Sequence, residues 1–124
     1  MGKFVIKGTK NGGFKFDLLA ANQQIIANSQ VYKSMRSLKN GIASVVKNFM
    51  AAVEDQTVEP VVAVKCPKYE IYKDKAGEFR FRLKASNGQI IAVGEGYTAK
   101  AGCLNGIDSI GRNAPDAEVA KEEE

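Results

Sequence analysis

The stretch Gly77-Glu78-Phe79-Arg80-Phe81-Arg82-Leu83-Lys84-Ala85-Ser86-Asn87-Gly88-Gln89-Ile90-Ile91-Ala92 decides the fold, because the chain contains it twice. Its earlier counterpart is Gly12-Gly13-Phe14-Lys15-Phe16-Asp17-Leu18-Leu19-Ala20-Ala21-Asn22-Gln23-Gln24-Ile25-Ile26-Ala27. Working outward from this pair, a single shift of 65 residues aligns 4–49 with 69–114 without a gap and with eighteen identities. Chance does not produce gapless agreement over that length, so the repeat comes before any assignment of elements.

Each copy opens on alternation: Phe4 and Ile6 against Val5 and Lys7, then Tyr69 and Ile71 against Glu70 and Tyr72. Period two predicts a strand. Gly12 and Gly77 then supply the residue without Cβ that a tight reversal needs. A second strand follows, with Phe79, Phe81 and Leu83 inward and Arg80, Arg82 and Lys84 outward; in copy one Phe14, Phe16 and Leu18 oppose Lys15, Asp17 and Leu19. Asn87-Gly88 predicts a hairpin with a type I′ turn, and Asn22-Gln23 holds the same place less ideally. A third strand runs from Ile25 to about Val31 and from Ile90 to about Val93. The pattern does not say which of the paired isoleucines faces inward.

After Tyr32 and Tyr97 the period changes. Met35, Leu38, Ile42, Val45 and Phe49 fall on one helical face behind a Ser34 N-cap; in copy two Thr98 is the candidate cap and Cys103, Ile107 and Ile110 the inner face. Both predicted helices carry Asn-Gly in mid-course, although glycine costs about 1 kcal/mol there relative to alanine. Its retention predicts a close backbone contact with the sheet or the twin helix; the alternative is a break into a turn. Pro115 ends the second helix and leaves Ala117 to Lys121 extended. Met50 to Val53 carry no proline, and the pattern leaves open whether residues 50–64 continue the first helix or form a strand. Glu54 to Lys68, with four valines around Pro60 and Pro67, reads as an extended connector able to add an edge strand.

One such unit is too small for a secure core of its own. The expectation is therefore an α+β protein in which two tandem β-β-β-α(-β) repeats form one antiparallel sheet packed against two helices. A single pseudo-twofold domain over 1–124 divides into repeat one, 3–55, connector 56–67, repeat two, 68–120, and acidic tail 121–124.

Tyr69-Glu70-Ile71-Tyr72-Lys73-Asp74, Gly77-Glu78-Phe79-Arg80-Phe81-Arg82-Leu83, Asn87-Gly88-Gln89-Ile90-Ile91-Ala92, Gly94-Glu95-Gly96-Tyr97, Asn105-Gly106-Ile107 and Asn113-Ala114-Pro115-Asp116-Ala117 together closely resemble the YegP-like family, small bacterial and archaeal proteins of uncharacterised function. The resemblance spans nearly the whole chain as that family's tandem form. Copy one departs from it where Phe49-Met50 replaces Ala-Pro and Gln23 replaces the turn glycine. The resemblance implies a β-β-β-α-β unit whose last strand is exchanged between repeats within one sheet, a role it gives to Ala117–Lys121 and to the segment after Met50. It implies no activity, ligand or catalytic residue.

The residues themselves narrow the chemistry. There is no histidine, which removes the commonest general acid/base and metal ligand, and with it zinc-site and triad readings. No acid in the aligned region has an acid counterpart: Asp17 meets Arg82, Asp74 meets Thr9, Glu78 meets Gly13, Glu95 meets Gln30 and Asp108 meets Ala43. A symmetric carboxylate site is excluded; a one-sided site around Glu95 and Asp108 is the least favoured reading. Ser44 and Ser109 recur without a base to activate them. Gly94-Glu95-Gly96 lacks the spacing and lysine of a phosphate loop and reads as a bulge. No catalytic residue, metal or cofactor is expected.

A net charge of +4 and a pI of 9.1 permit an anionic partner. The set for such contact, nucleic acid included, is Lys15, Tyr72, Arg80, Arg82 and Lys84, although a solvated sheet face explains it more plainly. A polar set kept in both copies, Asn22, Gln24, Tyr32, Asn87, Gln89 and Tyr97, together with Asn40 and Asn105, offers a shared groove; turns, cross-strand pairs and strand-to-helix corners account for it almost as well. With no apolar run near twenty residues and Lys3 and Lys7 interrupting the start, neither a membrane span nor a signal peptide is expected. Cys66 and Cys103 lack metal-ligand spacing and read as bystander thiols. The functional expectation is a bacterial, cytoplasmic, non-enzymatic binding or interaction module, monomer or weak homodimer, with a protein or nucleic-acid partner. Because the copies share their fold, function specific to the chain is expected where they differ.

Overall fold

Lys3–Gly8 (β1), Phe14–Leu19 (β2), Ile25–Asn28 (β3) and Met35–Asn48 (α1) build the first repeat in a computed structural model that describes residues 2–121, and Ala52–Asp55 (β4) closes it. Lys68–Lys73 (β5), Phe79–Lys84 (β6), Ile90–Gly94 (β7), Lys100–Asn113 (α2) and Glu118–Lys121 (β8) repeat the order. All eight strands join one sheet, β4-β5-β6-β7-β3-β2-β1-β8. The repeats meet at β7 and β3, and each gives its last strand away: β4 lies beside β5, and β8 beside β1. The strand exchange implied by the resemblance is therefore present.

The sheet is mixed rather than antiparallel throughout. Its six central strands pair antiparallel, whereas the β4–β5 and β1–β8 pairs are parallel. A tight hairpin enforces antiparallel pairing, and an exchanged strand arrives without one. Both helices pack on one face and straddle the seam, α1 against β2 and β7, α2 against β6 and β3. Between them lie Phe4, Phe16, Leu18, Tyr69, Phe81 and Leu83 from the strands and Leu38, Val45, Cys103 and Ile110 from the helices. Ile26 and Ile91 are the inward isoleucines, while Ile25 is 40% exposed. The third strand is shorter than expected in copy one, ending at Asn28.

All four hairpins use one turn, and it is not the type I′ expected at Asn87-Gly88. In each, the fourth residue donates back to the first, as Gly88 N–H does to Ala85 O (2.9 Å), and the fourth residue alone takes positive φ: Gly12 79°, Gln23 69°, Gly77 82°, Gly88 83°. This is a type I turn followed by a left-handed residue, with a bulge that shifts register at Leu18/Leu19 and Leu83/Lys84. Asn22 and Asn87 stay out of the left-handed region because their Oδ1 atoms accept from Gln24 and Gln89 N–H (both 3.0 Å).

Neither helix breaks at Asn-Gly. A Cβ on Gly41 would collide with the Tyr32 hydroxyl, and one on Gly106 would lie 2.5 Å from that of Tyr97. The close contact predicted for both glycines is with the tyrosine at the strand-to-helix corner. Ser34 caps α1 by accepting from Ser37 N–H (3.1 Å), but the α2 N-cap is Ala99, without a side-chain bond, and not Thr98. Nor does α1 run on through Met50–Val53. It stops at Asn48, where the Tyr69 hydroxyl donates to Phe49 O (2.9 Å), and the edge strand begins at Ala52, earlier than the connector reading placed it. Residues 56–67 form no helix or strand, and residues 122–124 of the acidic tail lie outside the described residues.

Candidate functional site

Cross-strand register brings four of the five predicted basic-face residues together on the side opposite the helices. Tyr72 pairs with Arg80, Glu70 with Arg82 and Lys68 with Lys84, and the Arg82 guanidinium sits 4.4 Å from the Tyr72 ring centroid. Lys15 stands apart on β2, opposite Lys7. The face is not wholly basic, because β4, β5 and the turn after β5 bring carboxylates to it. Arg80 Nε donates to Asp74 Oδ2 (2.7 Å) and Arg82 Nε to Glu70 Oε1 (2.6 Å), Lys84 Nζ lies 3.1 Å from Glu70, and Lys68 Nζ bridges Glu70 (3.0 Å) and Glu54 (2.8 Å). Burial pushes the Glu70 carboxyl up, and the hydrogen bonds from Arg82, Lys68 and Lys84 outweigh it and hold it low. Glu54 is lowered to about 2 by hydrogen bonds from Gln56, Lys68 and the Val64 N–H of the connector. Repeat one solves the same problem with the strands reversed: Asp17 is buried on β2 and paired with Lys7 of β1 at 2.7 Å.

The polar groove residues do not form one shared groove. Tyr32, Asn87 and Gln89 line one cleft and Asn22 a second, each made by the helix of one repeat and the β-turn of the other. The first, about 500 Å³, has Ser37, Asn40, Gly41 and Ser44 of α1 on one wall and Ala85, Asn87 and Gln89 of the β6–β7 turn on the other. Ile91 lies between them, and Gln30, Val31, Tyr32 and Lys33 of the corner before α1 close one end. Burial raises the Tyr32 hydroxyl pKa, so the group stays protonated. The second cleft, about 450 Å³, is lined by Ala20, Ala21, Asn22, Ser109, Arg112 and Asn113. Gln24 is exposed near it in sequence without lining it, and Tyr97 packs under α2 against Gly102 and Gly106.

Twin positions separate structural from unexplained polarity. Asn22 and Asn87 hold their turns. Asn48 and Asn113, which the sequence reading passed over, are buried and donate Nδ2 to the carbonyls of Ser44 and Ser109 (2.8 Å each) and to their hydroxyls. Their signal was identity in both copies four residues after an identical serine. Asn40, Asn105, Gln24 and Gln89 differ from these, since all four are exposed and their side chains make no hydrogen bond among the described residues.

The acids named for a one-sided site do not gather. Asp108 is exposed and paired with Arg112 in a groove beside Phe49 and Ile107, and Glu95 lies elsewhere, on the loop before α2. Among the described residues no three His, Cys, Asp or Glu side chains are placed to hold a metal ion, and no helix is long and apolar enough to cross a membrane. Gly94 passes under the Phe81 ring and Gly96 beside the Glu78 carboxylate, a close-packed strand end rather than an anion loop. Both cysteines are free; burial pushes the Cys103 thiol up to about 11.

The architecture can be placed by comparison. A family model described as a domain of unknown function, DUF1508, matches residues 9–55 and again 74–120, each match running from the first turn of a repeat to its exchanged strand. The chain belongs to this family. DUF1508 relatives include the UPF0339 protein YegP of Yersinia pestis, 38% identical over 113 residues, 91% of this chain and 88% of that one. A UPF0339 protein of Treponema denticola is 67% identical over 54 residues, which is 44% of this chain but 93% of that protein, so one DUF1508 unit nearly fills it. The solution NMR structure of yegP from E. coli, a protein of unknown function, superposes with a TM-score of 0.79 at 30% identity over 98% of this chain and 92% of that one. This DUF1508 chain therefore has the YegP fold, and its relatives are uncharacterised.

Proposed function

We propose that this chain is a non-enzymatic binding module, acting in the cytoplasm as a monomer or weak homodimer, and that its first cleft takes a small polar ligand. One observation carries the reading. Asn40 and Gln89 face one cleft from different repeats, are exposed and unbonded, and yet are kept at both twin positions. Asparagine in a helix interior costs about 0.5 kcal/mol relative to alanine, and no contact within the described residues offsets it. A ligand does. The copies also agree more in the lining than elsewhere on average: eight of its twelve residues are identical in the other repeat, against eighteen of the forty-six aligned positions. The four that differ are Gln30, Val31, Lys33 and Ser37.

Side-chain amide resonances give a direct test. Sugars, nucleosides and small amides added at about 10 mM to ¹⁵N-labelled protein are expected to move the Asn40 and Gln89 NH₂ signals for at least one compound. Asn40→Ala is expected to abolish that shift while raising stability by about 0.5 kcal/mol. Loss of stability in Asn40→Ala would make the residue structural and refute the reading. Nucleic acid is the weaker alternative, because Arg80, Arg82 and Lys84 are already joined to carboxylates. A gel shift at about 50 mM salt is expected to show no complex.

A further inference from the structure

We infer that the first cleft is a site for polyhydroxylated ligands, sugars or sugar-like polyols. This rests on the binding reading above and adds the ligand's chemistry. Charge narrows the class first. Among the described residues the first cleft has no carboxylate in its lining, and Lys33 is its one charged residue. A cationic ligand would meet only repulsion there, and a dianion would find a single ammonium.

Wetness narrows it further. Asn40, Asn87 and Gln89 are all exposed, so the walls stay hydrated and an apolar ligand gains little by entering. Affinity has to come from hydrogen bonds that tolerate water, which requires a ligand dense in them. The unused groups then specify the pattern. Asn87 Oδ1 is committed to Gln89 N–H, Ser44 Oγ to Asn48, and Ser37 Oγ to Ser34. The whole primary amides of Asn40 and Gln89 remain, with the NH₂ of Asn87. A primary amide presents a donor and an acceptor side by side, and a pair of vicinal hydroxyls, each both donor and acceptor, answers it in either orientation. Between the walls Gly41, Ala85 and Ile91 make a small apolar floor suited to the C–H face of a sugar ring.

The second cleft lacks this pattern. Its lining is Ala20, Ala21, Asn22, Ser109, Arg112 and Asn113, and Asn105 and Gln24, related to Asn40 and Gln89 by the pseudo-twofold, do not line it. Its Asn22 Oδ1 accepts from Gln24 N–H and its Asn113 Nδ2 donates to Ser109, so it offers no free pair of primary amides.

The test is titration of the ¹⁵N-labelled full chain with glucose, N-acetylglucosamine and myo-inositol, with uridine and N-acetylglycinamide as comparison arms. A polyol is expected to leave the side-chain amides of Asn105 and Gln24 in place and to move those of Asn40 and Gln89. The pair Asn40→Ala with Gln89→Ala is expected to weaken binding by about tenfold or more. If uridine or N-acetylglycinamide moves these amides and no polyol does, the ligand class is wrong while the binding reading stands. If no compound moves them, both fall. Equal shifts at Asn105 and Gln24 overturn the assignment of the ligand to the first cleft.

Discussion

Replacing Glu70 by glutamine isolates what the charged side of the sheet contributes. The Glu70 side chain is 3% exposed and meets Arg82 at 2.6 Å, Lys68 at 3.0 Å and Lys84 at 3.1 Å. Glutamine keeps the shape and one acceptor but removes the charge, leaving three cations close together with Glu54 serving only Lys68. Stripping one partner from a buried pair costs about 3–5 kcal/mol. Arg82 and Lys84 are 27% and 24% exposed and can recover some hydration, which lowers the expected loss to about 2–3 kcal/mol. For a chain of this size that is a fall in Tm of about 10 °C. Urea unfolding measures it, with an unchanged slope showing that only stability moved.

The pH dependence supplies a second check on the same variant. The Glu70 pKa is held below its ordinary 4.5, so its contribution is complete above that value and is lost as pH falls through the folded pKa. Protonated Glu70 resembles glutamine, and the gap between wild type and variant must close on acidification. A loss under about 0.5 kcal/mol at pH 7, or a gap that persists at low pH, would show that solvent and not Glu70 neutralises this face.

Gln23→Gly relieves the one non-glycine residue held at positive φ among the described residues, here 69°, and should stabilise the protein by about 0.5–1 kcal/mol, read as a higher urea midpoint; no gain would mean that Gln23 is unstrained. Gly41→Ala and Gly111→Ala form a matched pair within helices. At Gly111 the nearest atom to a new Cβ is Phe49 Cδ1 at 3.8 Å, ordinary contact, so the helix gains about 1 kcal/mol; at Gly41 the Tyr32 hydroxyl must move, and a net loss of about 1–2 kcal/mol is expected. Equal effects at the two sites would remove the packing explanation for the retained Asn-Gly.

The fold was largely legible because a repeat gives every position an internal control. Alternation in Phe79–Lys84, the Tyr97 corner and the Asn105-Gly106 pair meant more once each was seen twice. Three features did not show. The turn type was hidden because a type I turn with a bulge and a type I′ turn both favour Asn-Gly, differing only in which residue goes left-handed. The end of α1 was hidden because it is set by Tyr69 reaching Phe49 O across twenty residues of sequence. The pairing of the basic strand with carboxylates was hidden because the acids, Glu54, Glu70 and Asp74, lie outside that strand. For the candidate site, the polar residues were visible and their grouping was not, since each cleft joins one repeat's helix to the other repeat's turn.

That grouping bears on one expectation, that function lies where the copies differ. Several differences prove to be paired substitutions filling the same space. Gly13 admits Val31 in repeat one, while in repeat two Glu78 occupies the turn and Gly96 admits it, each at 2.5 Å from the Cβ the glycine lacks. The acid and its cation likewise change strands, Asp17 with Lys7 in one repeat and Glu70 with Arg82 in the other. Such exchanges conserve packing and charge, and the fold alone explains them. A residue kept twice for the fold also shows its reason, as Gly41 does in Tyr32 and Asn48 in Ser44. Asn40, Asn105, Gln24 and Gln89 are kept twice and show none among the described residues. The ligand proposed for the first cleft accounts for Asn40 and Gln89, and on that proposal function lies among residues the copies share.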